Sequence, residues 1–135
     1  MRLLHDVPGL PPAWEGVPAG AAIGVHPCGR TLYASQRNHN SIAVYRLGSD
    51  GSPTLVRHLP CGGNEPRDFD FDTSGRWMIV ANQLSNNLSI HELDPATGLP
   101  AGLAPRHVFE DSPARVVCTD RHAERDGLQE GKASK

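Results

Sequence analysis

Residues 23–53 read IGVHPCGRTLYASQRNHNSIAVYRLGSDGSP, and residues 69–100 read FDFDTSGRWMIVANQLSNNLSIHELDPATGLP. Shifted by 46 positions, Gly29-Arg30 falls on Gly75-Arg76, Asn40 on Asn86, Ile42 on Leu88 and Val44 on Ile90. Gly51 meets Gly98 after one inserted residue. Self-similarity with a period in the forties and several short strands per unit predicts an all-β fold built of β-propeller blades.

The pattern within each unit predicts four strands. In the first they are Ala22–His26, Thr31–Ser35, Ser41–Leu47 and Thr54–Leu59. In the second they are Asp68–Asp72, Trp77–Ala81, Asn87–Leu93 and a weaker Arg106–Glu110. Pro27-Cys28-Gly29-Arg30, Ser49-Asp50-Gly51-Ser52 and Asp94-Pro95-Ala96-Thr97-Gly98 supply the tight turns, with glycine where a positive φ is needed. Alternation in SIAVYRL and NLSIHEL fits strands packed between sheets. The organisation expected is an irregular lead-in over 1–20, a partial propeller over 21–119 with repeats at about 22–66 and 67–113, and a polar, loosely ordered tail over 120–135. Val116–Thr119 reads as the start of a further blade or as a strand that closes a ring.

Composition narrows the classes. With 135 residues, 38% hydrophobic and 21% charged, the chain suits one globular domain. A formal net charge of −2 gives no general basic footprint, which argues against non-specific nucleic-acid binding. No apolar run approaches the roughly 20 residues of a membrane span. The opening MRLLHDVPGLPPAWEG holds no apolar core of the about 7–15 residues a secretory signal uses, so a cytoplasmic protein is expected. Cys28, Cys61 and Cys118 are odd in number and far apart, so neither a full disulfide framework nor a CxxC metal site is expected. The seven histidines form no HxH or HxxxH pair, and no metal is assigned.

A blade has two apolar faces, and each wants a neighbour. Propellers carry about 4–8 blades, and this chain shows two. The expectation is therefore a portion of a larger propeller, or self-assembly through exposed blade faces.

HPCGRTLYASQRNHNSIAVY, then GGNEPRDFDFDTSGRWMIVANQLSNNLSIHELDPATG, then SPARVV resemble the C-terminal portion of the lactonase family of seven-bladed propellers. That family's pattern runs DGR-x-LY-x-SNR-x-x-x-SI, G-x-x-PR-x-F, LLVANQ-S-x-N and SPV. The resemblance covers about residues 20–118. Two motifs depart from it: Cys28-Gly29-Arg30 stands for DGR and Ser35-Gln36-Arg37 for SNR. The related YVTN-type propellers resemble the chain less closely. The lactonase resemblance implies hydrolysis of a sugar lactone such as 6-phosphogluconolactone, without a cofactor. The family's earlier blades, which supply the rest of its cleft, have no counterpart here.

Two clusters are candidates for chemistry. Arg37-Asn38-His39-Asn40 lies in the bend between the second and third strands, opposite Gln83-Leu84-Ser85-Asn86 in the repeat. Shared polarity is turn chemistry, but Arg37 faces Gln83 and His39 faces Ser85, so the repeat does not explain the cation. A guanidinium can clamp a phosphate or carboxylate with two hydrogen bonds. The alternative for Arg37 is bridging to a neighbouring blade. His39 is a candidate general base or donor, or a solvent-facing turn residue.

The second cluster is Gly62-Gly63-Asn64-Glu65-Pro66-Arg67, which links the two units. Arg67 is a candidate ligand contact, against a salt bridge with Glu65, Asp68 or Asp70. Glu65 is the candidate carboxylate base. Asn64, Asn82 and Gln83 are candidate donors to substrate hydroxyls, although Asn82 and Gln83 could equally cap a strand end. Arg30 and Arg76 recur with the repeat and read as structural. No GxSxG elbow is present, which disfavours a covalent acyl route. The competing class is a non-catalytic, YVTN-like repeat module that binds a ligand or protein on its rim.

Overall fold

The structure, a computed structural model, describes residues 5–119. It holds two four-stranded antiparallel sheets, each in simple up-and-down order. The first comprises β1 (Gly20–Val25), β2 (Thr31–Gln36), β3 (Ser41–Leu47) and β4 (Pro53–Pro60). The second comprises β5 (Pro66–Phe71), β6 (Trp77–Asn82), β7 (Asn87–Glu92) and β8 (Arg106–Phe109). All eight strands fall where the repeat predicts them, with ends moved by at most two residues. The tail over 120–135 lies outside the described residues.

The two sheets pack face to face, which the alternation of side chains makes possible. Tyr33 pairs with Val44 across β2 and β3, and Phe69 with Val80 across β5 and β6. Directly opposed residues share a face, so Tyr33, Ile42 and Val44 form one wall of the core while Phe69, Met78 and Val80 form the other. Tyr33 meets Phe71 and Phe69 edge-on, with ring centroids 5.4 and 6.4 Å apart. Such pairs add about 0.5–1.5 kcal/mol each beyond their buried area. Gly24 on β1 gives these rings room: a Cβ there would sit 3.3 Å from Phe69 and 3.4 Å from Phe71.

One edge of the interface is closed by polar clasps. His26 Nδ1 accepts from the Cys28 N–H at 3.0 Å, so Nε2 carries the proton and donates to the Gly75 carbonyl at 2.6 Å. Thr31 Oγ1 donates to the Thr97 carbonyl and the Tyr33 hydroxyl to that of Gly98. Each clasp runs from the first sheet to a turn of the second. Burial, the largest influence, pushes the Tyr33 phenol well above its usual range, so it stays a donor.

Residues 5–19 form no helix or strand and are anchored along the first sheet. Tyr45 donates to the Pro8 carbonyl, the His58 ring bonds the Gly9 carbonyl, and the Trp14 ring meets His39 edge-on at 5.3 Å. Val116–Thr119 has no strand assignment among the described residues; the Val116 and Cys118 N–H groups donate to the Asp68 and Asp70 carboxylates of β5.

Candidate functional site

Antiparallel order decides which loops meet. The β2–β3 bend, the β4–β5 link, the β6–β7 bend and the chain leaving β8 all lie at one end of the sheets. Arg37, His39, Asn64, Glu65, Arg67 and Gln83 therefore share that end. Asn82 sits at the same end of β6 but points inward and is fully buried.

Two asparagines build this rim. Asn40 and Asn86 hold their backbone at φ 56° and 54°, the left-handed region that asparagine tolerates. Asn40 Oδ1 accepts from the Glu65 N–H at 2.8 Å, and Asn86 Oδ1 accepts from the Ser112 N–H at 2.9 Å. Their carbonyls take the N–H groups of Cys61 and Glu110. Each bend thus staples the chain that leaves its own sheet for the next. Glu65 and Ser112 are themselves at positive φ, 68° and 44°. That explains much of the amide content of QRNHN: Asn40 is a staple, and Asn38 Nδ2 donates to the Val17 carbonyl at 2.7 Å, fixing the lead-in.

Arg37 has several protein partners. Its Nε and Nη2 approach the Ala19 and Gly20 carbonyls at 3.3 and 3.4 Å, and Nη1 lies 3.9 Å from Glu65 Oε1. The bridging alternative describes this geometry well, since the guanidinium ties the lead-in to the link entering the second sheet. About 31% of the Arg37 side chain remains accessible, so the cation still faces the rim. Arg67 is exposed and donates through Nη1 to Gln83 Oε1 at 3.1 Å. The salt bridge considered for it with Glu65, Asp68 or Asp70 does not form among the described residues; alternation turns those aspartates to the far face of β5. Gln83 Nε2 reaches Ser112 Oγ at 3.5 Å.

His39 is half-buried rather than solvent-facing. Its ring is wedged between Trp14 and His58, and Nδ1 lies 2.6 Å from Ser41 Oγ. Asn64 is exposed, and its N–H is held by Ser85 Oγ at 2.8 Å. Gly63 is required here, because a Cβ would come within 2.4 Å of Ser85 Oγ and 2.6 Å of Asn87 Oδ1.

Asn82 is the strand-end cap of the two readings given for it. Its Nδ2 donates to the Cys61 carbonyl at 3.3 Å and to Ser89 Oγ at 3.1 Å. Ser89 Oγ and His91 Nε2 converge on the same Cys61 carbonyl. Burial, the largest influence, pushes the His91 pKa below its ordinary value, while the Cys61 carbonyl opposes this and His107 adds to it. This buried cluster escapes a reading of the sequence, where Cys61 and His91 are 30 positions apart; the alternate Asn87, Ser89 and His91 of one strand is the signal it leaves.

Comparison with known proteins supplies the family. The family model described as lactonase, seven-bladed β-propeller, matches residues 1–117. A 6-phosphogluconolactonase of Formosa agariphila is 38% identical over 105 residues, covering 76% of this chain and 30% of that protein. One of Bacillus subtilis is 34% identical over 98 residues, covering 72% and 28%. Among solved structures, a periplasmic gluconolactonase of Pseudomonas aeruginosa is 29% identical with a TM-score of 0.73, covering 82% of this chain and 30% of its own. The chain thus spans about 30% of the length of the relatives it matches. By its sheets, its repeat and these matches, it belongs to the lactonase family of seven-bladed β-propellers.

Proposed function

We propose that the rim at Arg37, Glu65 and Arg67 is one sector of a site that binds and hydrolyses a sugar lactone, in the way the names of the relatives indicate for those proteins. The observation that carries this reading is the pair of accessible guanidinium groups at one end of both sheets, beside Glu65, whose backbone N–H Asn40 holds. Arg67 is the more available anion partner, because its hydrogen bond to Gln83, the one it makes among the described residues, leaves the rest of the fork open to a phosphate or carboxylate. Arg37 contributes charge from behind Glu65.

Hydrolysis requires a water to attack the lactone carbonyl carbon, a base to take its proton, and a proton for the departing ring oxygen. Glu65 is the base candidate on position; His39 is held by Ser41 and two rings, and its role is to brace the bend. In this reading Asn64 and Gln83 hold substrate hydroxyls. No cofactor is required by this chemistry. A phosphorylated lactone is the better fit, since two cations exceed what one developing oxyanion needs. The unpaired Cys28, Cys61 and Cys118 suit a reducing compartment, which supports the cytoplasm.

The test is binding before catalysis. 6-Phosphogluconate, the stable product acid, is titrated into the chain and followed by amide chemical shifts. Shifts at Asn64, Arg67 and Gln83 are expected, with at least tenfold weaker binding in Arg67→Ala. Absence of shifts at that rim overturns the reading. Hydrolysis of the lactone above its spontaneous rate, reduced by Arg37→Ala, extends the reading to catalysis. The second reading, a binding module, rests on the several protein partners of Arg37, and gains ground if the acid binds but no turnover is seen.

A further inference from the structure

A hollow of about 270 Å³ opens between β4, an edge strand of the first sheet, and the segment that leads into β8, an edge strand of the second. None of Arg37, Glu65 or Arg67 lines it. Leu59, Pro60, Leu103 and Pro105 give it apolar walls, and Arg57 and His91 add polar groups. The repeat does not call for it. β4 starts two residues after Gly51, whereas β8 starts eight residues after Gly98, the counterpart of Gly51. The added residues carry Leu103 and Pro105 to the hollow, and Leu103 is 64% exposed. Their base is fixed: Leu93 bridges to Pro100, and the Ala101 N–H donates to the Glu92 carbonyl at 3.0 Å.

His91 forms the floor, with only 3% of its surface accessible. Ser89 Oγ gives its one proton to the Cys61 carbonyl, so His91 Nε2, 3.0 Å from that oxygen, must donate to it. The lone pair then lies on Nδ1, which has no hydrogen-bond partner among the described residues. Burial, the largest influence, lowers the His91 pKa, so the ring is neutral near pH 7 and Nδ1 can accept. A buried acceptor left unpaired is destabilising, and a donor seated in the hollow relieves this. At the mouth, Arg57 is exposed and makes no hydrogen bond or ion pair among the described residues. Glu92 also borders the hollow, with Arg76 Nε 3.7 Å from its Oε1 to offset its charge.

We infer that this hollow binds a small single-ring hydroxy acid, whose hydroxyl donates to His91 Nδ1 and whose carboxylate pairs with Arg57. The ring lies against Leu59, Pro60, Leu103 and Pro105. A donor is needed because Nδ1 can only accept, and an anion because the Arg57 fork is unpaired. The volume falls just below the about 300–1,000 Å³ of pockets for drug-sized ligands, which limits the occupant to one ring. The inference is independent of the lactone reading, since the hollow shares no residue with the rim at Arg37, Glu65 and Arg67.

The probe is para-hydroxybenzoate, titrated into the full chain and followed by amide shifts and by the ring-nitrogen signals of His91. Shifts at Leu59, His91 and Leu103 are expected, together with movement of the His91 Nδ1 signal. Benzoate lacks the donor and phenol lacks the anion, so each should bind at least tenfold more weakly. Arg57→Ala and Leu103→Ser alter exposed side chains, keep the β-sheet circular dichroism and weaken the probe at least tenfold. No shifts at the hollow, an affinity unchanged in either variant, or benzoate or phenol binding as tightly as the probe overturns the inference. Shifts confined to Asn64, Arg67 and Gln83 overturn it too, and leave the lactone reading standing.

Discussion

Asn40 shows how one side chain sets the position of another residue's chemistry. Its carboxamide holds the Glu65 N–H while its own backbone occupies the left-handed region. Asn40→Ala removes the hydrogen bond and retains the backbone strain, for a loss of about 1–3 kcal/mol. Asn40→Gly relieves the strain and loses only the bond, so it should fall between Asn40→Ala and the parent in urea unfolding. The reverse order would mean that the carboxamide does not carry the load. The repeat made this residue findable, since Asn40 aligns with Asn86. The packing of His39 against Trp14 was not legible, because the lead-in that carries Trp14 has no periodic pattern to place it.

His91 gives a residue-level prediction with a sign. Its folded pKa is depressed by burial, so between that value and the usual 6.5 the unfolded chain binds the extra proton. The stabilisation is complete above pH 6.5 and is lost as pH falls through 6.5 towards the folded value. His91→Gln should therefore lose less stability than the parent when pH is lowered from about 7.5 to about 5.5. Parallel pH profiles for the two proteins would show that His91 does not couple folding to protons.

Among the elements, the strands were legible and the clasps between sheets were not. Two-residue alternation and glycine-marked turns fixed eight strands because both are local signals. What joins the sheets spans longer separations, such as His26 to Gly75 across 49 positions, and leaves no local trace. The turns also differ in ways the alphabet hides. Gly29 and Gly98 share φ 77°, yet a Cβ on Gly29 meets nothing within 4 Å, while one on Gly98 sits 2.8 Å from the His26 ring. Gly29→Ala should cost only the backbone penalty of about 1–2 kcal/mol. Gly98→Ala adds displacement of a buried, doubly bonded imidazole and should cost about 2–4 kcal/mol. Thermal unfolding of the pair checks this, and equal costs would show that His26 yields freely.

At the scale of the whole molecule, one core serves both sheets, and cooperativity is the consequence. Tyr33, Ile42 and Val44 on one side and Phe69, Met78, Val80 and Leu93 on the other form a single buried cluster. A sheet detached from its partner would expose that wall at about 25 cal/mol per Å² of apolar surface, which a lone four-stranded sheet has little means to offset. The two sheets should therefore unfold together. Two tryptophans report on them separately: Trp77 lies on β6, while Trp14 packs on the first sheet through His39. In Trp14→Phe and Trp77→Phe, the remaining fluorophore should give the same urea midpoint as circular dichroism, once each variant's stability is allowed for. Weakening the clasp with His26→Ala should lower both midpoints together, because His26 binds the first sheet to the Gly75 turn of the second. If the Trp77 signal moves and the Trp14 signal stays, the sheets fold as independent units and the shared core is not what holds the molecule.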